Sequence, residues 1–178
     1  MKKVEILFTD LDGTLINALS GETFPKGIWD MKINFDVLDA IKNTKPVAIF
    51  IITNQGGIES GFVNQRNFDF KIRYLIYAIK EYLNYDCIVD YIYCCTNNPN
   101  SIYRKPNIGM VIKMLKRHKT RLSMNGGYSI TDYLMIGDAS GLEGQFSDSD
   151  KKTAEKAGMN YLDVNEFIKL YKDGQDKD

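Results

Sequence analysis

Four short stretches of the chain hold residue types that can do chemistry together. Asp10-Leu11-Asp12-Gly13-Thr14 sets two carboxylates two positions apart, just past an apolar run. Residues two apart in an extended segment share a face, so both can point to one side. Paired negative charges need a partner, and a hard divalent cation such as Mg²⁺ suits oxygen ligands. Gly13 lets the chain turn sharply behind them. Thr53-Asn54-Gln55-Gly56-Gly57-Ile58 offers a hydroxyl and free backbone N–H groups, a neutral cradle for phosphate oxygens. Arg104-Lys105-Pro106 supplies an ammonium that can offset the charge of a phosphate and of a carboxylate nucleophile. Gly137-Asp138-Ala139-Ser140-Gly141 adds a further carboxylate. Each stretch alone also reads more plainly, as an Asp-Gly turn, a Gly-Gly loop, a solvated basic loop and a lone Asp after an apolar run.

These stretches need a scaffold. Residues 4–9 read as a buried strand that runs into Asp10. Residues 47–53 are β-branched, and too short and apolar for a surface helix. Residues 88–94 and 133–137 are further strand candidates. Residues 35–43 read as a short helix. Over residues 64–84 the periodicity is helical, with Phe68, Ile72, Leu75, Ile76, Ile79 and Leu83 on one stripe. Lys105-Pro106-Asn107 favours a helix start before residues 108–119. Residues 150–157 form a helix closed by Gly158, and residues 164–171 form the last one. Strands alternating with helices predict an α/β fold with a mostly parallel sheet. Ligands bind beyond the carboxyl ends of such strands. Asp10 and Asp12, Thr53 and Asn54, and Asp138 all follow strand candidates.

At 178 residues the chain is the size of one domain. Its 44% hydrophobic and 26% charged content excludes a disordered chain. Lys+Arg at 23 balance Asp+Glu at 23, so no global field steers it to nucleic acid or membrane, although a local basic patch is compatible with that balance. No run of about 18 apolar residues is present. The apolar stretch after Met1-Lys2-Lys3 meets Thr9-Asp10 too soon for a signal peptide. The expected setting is cytoplasmic, with nuclear and viral settings open. Three cysteines, an odd count, do not make a disulfide framework. Cys87, Cys94 and Cys95 read as buried structural residues. His118, the single histidine, stands among Lys116, Arg117 and Lys119 and reads as a solvated helix end. A single domain over residues 1–172 is expected, with residues 173–178 a frayed tail.

The order and spacing of the four stretches resemble the haloacid dehalogenase superfamily of phosphohydrolases. That pattern is Asp-x-Asp-Gly-Thr, a Thr or Ser ending the second strand, a Lys, then Gly-Asp. The likeness extends to the polynucleotide kinase 3′-phosphatase family, phosphatase part only. It is carried by Ser20-Gly21-Glu22-Thr23-Phe24-Pro25-Lys26-Gly27, by Thr53 to Ile58, and by Tyr103-Arg104-Lys105-Pro106-Asn107-Ile108-Gly109-Met110. Ile136 to Gly141 and Phe146-Ser147-Asp148-Ser149-Asp150 carry it too, as does Asn165-Glu166-Phe167. The resemblance implies a Rossmann-like three-layer sandwich with a small flap, about residues 14–34, and no large cap. It implies Mg²⁺ held by Asp10, Asp138 and the backbone carbonyl of Asp12. It implies Asp10 as nucleophile and Asp12 as general acid and base, with Thr53 and Lys105 completing the catalytic set. Leu11, Asn54 and Arg104 would bind substrate. The implied partner is a nucleic acid with a 3′-phosphate end, with a separate kinase or ligase as a further companion and no membrane.

Several features depart from that pattern. No Gly-x-x-x-x-Gly-Lys-Ser/Thr loop occurs in the sequence. Leu142 stands where the family commonly has Arg. Net neutrality is unlike an enzyme with a basic groove for DNA ends. Histidinol-phosphate and heptose-bisphosphate phosphatases share Thr-Asn-Gln-x-Gly-Ile and Arg-Lys-Pro, so a small-metabolite phosphatase is the alternative reading. Those enzymes usually carry a Cys/His zinc loop before Arg-Lys-Pro. Here residues 96–103 hold neither residue, and adjacent Cys94 and Cys95 make a poor tetrahedral site. A non-catalytic end-binding protein is a third reading, against which the full acidic set counts. Asp150 reads as a helix N-cap or as support for a metal site; Asp148 and Glu143 stay open. Phe24, Trp29, Phe62, Tyr103 and Tyr128 read as core aromatics or as stacking platforms for bases.

Overall fold

The computed structural model describes residues 4–124, 128–145 and 147–172. The elements follow in the order β1 (Ile6–Thr9), β2 (Ile16–Ala18), β3 (Met31–Ile33), α1 (Phe35–Thr44), β4 (Ala48–Asn54), α2 (Gly56–Glu59), α3 (Gln65–Leu83), β5 (Ile88–Cys94), α4 (Gly109–Arg117), α5 (Lys119–Met124), β6 (Tyr133–Gly137), α6 (Ser149–Ala157), β7 (Asn160–Asp163) and α7 (Val164–Tyr171). Five strands form a parallel sheet in the order β5-β4-β1-β6-β7. Parallel strands buried on both faces are built from continuous apolar runs. The Ile-Leu-Phe-Thr of β1 is fully buried at the centre, with Thr9 paired to Ile51 of β4 and to Ile136 of β6.

Helices cover both faces. Leu7, Ile49, Ile51 and Ile136 point to the side of α1, α3 and α7, where Leu38, Ile41, Phe68, Ile72, Leu75 and Phe167 complete one core. Phe8, Phe50, Ile52 and Met135 point the other way, onto Met110 and Met114 of α4, Leu122 of α5 and Ala154 of α6. The alternation of side chains along each strand produces the two cores. Helix α3 starts at Asn64, whose side chain accepts from the Arg66 and Asn67 N–H groups. It stops at Asn84, which takes the left-handed conformation. β2 and β3 make a separate antiparallel hairpin with Ile16 opposite Ile33.

Some expectations are corrected. The span read as one helix over residues 108–119 is two helices, since the chain turns at His118 before α5. His118 is not a solvated helix end. Its ring stacks on Phe50 at 5.2 Å, and its Nε2 lies 2.7 Å from Asp90 Oδ2. Cys87 and Cys94 are buried, but Cys95 is exposed, because it follows the last residue of β5 and faces the opposite way. Asp150 is not an N-cap. Asp148 holds that position, and Asp150 lies inside the first turn of α6 with its carboxylate buried. The tail 173–178 and Phe146 lie outside the described residues. No helix among the described residues is long and apolar enough to cross a membrane.

Candidate active site

The carboxyl ends of β4, β1 and β6 lie side by side, and the acidic and hydroxyl residues follow from them. Asp10 continues β1, with its N–H donating to the Ile136 carbonyl at 3.0 Å. Thr53 and Asn54 end β4, and Asp138 follows β6. Gly13 has φ +84, and a Cβ there would fall 2.0 Å from Asp138 Oδ2. The turn after Asp12 therefore needs glycine both for its backbone and for the approach of Asp138. Together these residues line a cleft of about 510 Å³ that also includes Phe24 of the hairpin loop, Gln55, Arg104, Lys105 and Asp150.

One ligand-forming cluster is present among the described residues. Asp10, Asp138 and Asp150 each offer a carboxylate oxygen, and these oxygens lie within 4.8 Å of one another. Lys105 is buried and donates to Asp10 and, at 2.6 Å, to Asp150. Burial works against the Lys105 ammonium, but the Asp10 and Asp150 charges outweigh it and raise its pKa above the ordinary lysine value. Asp138 is pushed up to about 7 by burial, with the Asp10 and Asp150 charges adding to it. Burial also raises Asp150, against the pull of Lys105. An excess of buried carboxylate of this kind fits a hard divalent cation with oxygen ligands.

Asp12 stands apart from that cluster. Its Oδ2 accepts from Gln55 Nε2 at 2.6 Å and its Oδ1 from Lys71 Nζ at 3.1 Å. Gln55 Nε2 also donates to Thr53 Oγ1 at 3.0 Å, linking Asp12 to the β4 end. Burial is the main influence on Asp12 and raises its pKa, with Lys71 opposing. A carboxyl group held partly toward its protonated form is suited to proton transfer.

The remaining sequence candidates take different places. Asn54 brackets the Lys105 backbone, donating to its carbonyl at 3.0 Å and accepting from its N–H at 2.9 Å. That bracket sets the loop that delivers Lys105. Arg104 lines the cleft and donates to the Thr96 carbonyl at 2.8 Å. The Leu11 side chain is in the core, and its carbonyl accepts from Leu15 and Ile16. Asp148 pairs with Lys152 at the cleft edge, and Leu142 is exposed. Of the five aromatics, Phe24 alone is among the cleft residues, while Tyr128 packs on the core beneath α4 and α6. Lys71 and Gln55 had no role in the sequence reading. The signal for Lys71 was its place on the apolar face of α3, three residues after Phe68 and four before Leu75.

This sheet, with acidic residues at the ends of its central strands, has the fold of a solved HAD-like phosphatase from Mesorhizobium loti, with a TM-score of 0.63 at 22% identity. Residues 5–168 match the family model described as polynucleotide kinase 3 phosphatase, and the chain belongs to that family. It is 29% identical over 136 residues to the D-glycero-beta-D-manno-heptose-1,7-bisphosphate 7-phosphatase of Helicobacter pylori strain J99, covering 74% of this chain and 71% of the relative. It is 28% identical over 172 residues to the bifunctional polynucleotide phosphatase/kinase of Schizosaccharomyces pombe, covering 94% of this chain but only 38% of the relative. A solved D,D-heptose 1,7-bisphosphate phosphatase from B. bronchiseptica, complexed with magnesium and phosphate, superposes with a TM-score of 0.68 at 14% identity, covering 98% of this chain and 100% of that one. A phosphatase activity is common to the names of these relatives.

Proposed function

We propose that this protein is a Mg²⁺-dependent polynucleotide 3′-phosphatase of nucleic-acid end repair, working as one uncapped domain over residues 1–172. The observation that carries the reading is the family match over residues 5–168, joined to a cleft that the loop of the β2–β3 hairpin borders through Thr23 and Phe24. Residues between β4 and the Lys105 loop are taken up by α2, α3, β5 and the segment after it, with no inserted cap among those described. An open site admits the end of a long chain. A separate kinase or ligase would act on the other end chemistry.

Asp10, Asp138 and the backbone carbonyl of Asp12, with Asp150 beside them, would hold the cation. Mg²⁺ there supplies charge neutralisation of the phosphate and of the attacking carboxylate. Asp10 Oδ attacks phosphorus as the bond to the 3′-oxygen breaks, giving a phospho-aspartate. Protonated Asp12 gives its proton to that leaving oxygen. As a carboxylate, Asp12 then takes a proton from the water that attacks the phospho-aspartate, releasing phosphate and restoring Asp10. Thr53, the Asn54 N–H and Lys105 hold the transferring oxygens.

A second reading, a sugar-phosphate or histidinol-phosphate phosphatase, is favoured by one observation, the 29% identity to the heptose-bisphosphate enzyme. The test compares phosphate release from a 3′-phosphorylated oligonucleotide, histidinol phosphate and a sugar bisphosphate in Mg²⁺, with Asp10→Asn as control. A large kcat/KM preference for the oligonucleotide is expected. A preference for either small ester would replace the first reading with the second.

A further inference from the structure

The active-site cleft is not the roomiest depression on the molecule. A second one, about 870 Å³, runs outside the sheet between α4 and α6. Both clefts use the loop of residues 99–109. Arg104, Lys105 and Pro106 face the carboxylates, while Ile102, Tyr103, Asn107, Ile108 and Gly109 wall the second cleft. Gly109 lets the loop lie against α4, since a Cβ there would fall 2.4 Å from the Ile102 carbonyl oxygen.

The lining is chemically one-sided. Lys113, Lys116 and Lys156 border the cleft, and among the described residues no carboxylate does. All three lysines are exposed, and among the described residues none has an ion-pair partner. In a chain of zero net charge, that is a local excess of positive charge. Lys113 Nζ sits 5.2 Å from the centre of the Tyr103 ring, and that ring, Ile102 and Ile112 stay open to solvent. Ammonium groups alternating with exposed flat and apolar side chains suit a phosphodiester backbone with stacking bases.

We propose that this cleft carries the single-stranded polynucleotide leading to the 3′ end, with Tyr103 as the step between it and the active site. The proposal rests on the polynucleotide reading above and gives that substrate its path. A strand whose terminal phosphate meets Asp10 crosses the rim at Arg104 and Tyr103 and descends between α4 and α6, beside Lys113, Lys116 and Lys156. A small phosphate ester would never reach those lysines.

The test is the triple variant Lys113→Glu/Lys116→Glu/Lys156→Glu, together with Tyr103→Ala. All four positions lie outside the catalytic set, so turnover of an aryl phosphate should stay at the wild-type rate and report an intact fold. With a 3′-phosphorylated DNA single strand of about 8 nucleotides, KM should rise at least about tenfold in the triple variant, with kcat little changed. The plot of log(kcat/KM) against log[salt] should flatten by about 2, since each neutralised single-strand phosphate contributes roughly 0.7. With a 3′-phosphorylated mononucleotide, variant and wild type should match. Unchanged KM and salt slope on the longer strand would overturn the path while leaving the phosphatase reading intact. A wild-type protein that hydrolyses aryl phosphate but no oligonucleotide 3′-phosphate would overturn both.

Discussion

Lys71 reaches Asp12 from the buried face of α3, with its Nζ 3.1 Å from Asp12 Oδ1 and 3.3 Å from the Pro25 carbonyl of the hairpin loop. One ammonium therefore holds both the carboxyl group assigned to proton transfer and the loop that roofs the cleft. Removing one member of a buried pair leaves the other charge uncompensated, at a cost of about 3–5 kcal/mol. Lys71→Met should lower unfolding stability by that order in urea titrations. The double variant with Asp12→Asn should lose less than the sum of the two single losses. Strict additivity would show that the contact carries no coupling.

The acid role proposed for Asp12 has its own test. Asp12→Ala removes leaving-group protonation and water activation together. A substrate whose leaving group is strongly acidic needs no proton, so the first step should recover and phospho-aspartate should accumulate. A burst of released alcohol followed by slow phosphate release is the signature in rapid-quench traces. Release of both products with no initial burst of alcohol would remove Asp12 from the second step.

Gly13 tests the geometry of the acidic turn. Its φ of +84 and the 2.0 Å approach of Asp138 Oδ2 to a built Cβ leave no room for a side chain. Gly13→Ala should cost about 1–2 kcal/mol from the left-handed backbone alone. It should cost far more in activity, because Asp138 must move. Retained kcat with Mg²⁺ in that variant would show that the close approach is not needed for turnover.

The framework of this fold is carried by signals a sequence displays openly. β5, β6 and α7 have the expected bounds, and β1, β4, α1, α3 and α6 lie within a residue or two of theirs, because apolar runs and helical stripes reflect burial directly. β7 went unseen because Asn-Tyr-Leu-Asp is short, at the sheet edge and half exposed. α5 was hidden because a turn at His118 does not interrupt helical composition. The polar chemistry divides the same way. Asp10, Asp12, Thr53, Lys105 and Asp138 stand in recognisable strings. Asp150 closes the string Phe146 to Asp150, where the sequence leaves a helix cap and support for a metal site equally open. Lys71 stands in no string at all. Each takes its place only when a helix brings it against a residue far away in the chain. The Lys105–Asp150 contact spans 45 positions and the Lys71–Asp12 contact spans 59.

Asp138 makes the metal-free protein sensitive to alkali. Burial, then the Asp10 and Asp150 charges, push it up to about 7, above the unfolded value of about 3.9. Between those values the folded chain binds more protons than the unfolded one, so stability falls as pH rises through about 4 to 7. In chelator, Tm should therefore be lower at about pH 8 than at about pH 5.5, and Asp138→Asn should shrink that gap. Adding Mg²⁺ at the higher pH should restore the wild type and leave the variant unmoved. An identical pH trend in the two proteins would assign the effect to other groups.

Asp30 gives the opposite sign, in the hairpin loop. Its carboxylate accepts from the Ser20 N–H at 2.7 Å, the Ser20 hydroxyl at 3.0 Å and the Lys26 N–H at 3.1 Å. The Ser20 N–H is the largest influence, and these bonds outweigh desolvation to hold the Asp30 pKa below the ordinary carboxylate value. Since the folded pKa lies below the unfolded one of about 3.9, the stabilisation is complete above that value and is lost as pH falls through the folded one. The hairpin loop should open in acid while the sheet stays formed. Hydrogen exchange at Ser20 and Lys26 should speed up as pH drops below about 4, beyond its intrinsic pH trend. Asp30→Asn should exchange fast at neutral pH as well, with little further change in acid. If the variant and the wild type share one profile, the Asp30 carboxylate is not what closes the loop, and its other contacts hold it, the Lys71 bond to the Pro25 carbonyl and the Leu19 N–H bond to the Asp30 carbonyl among them.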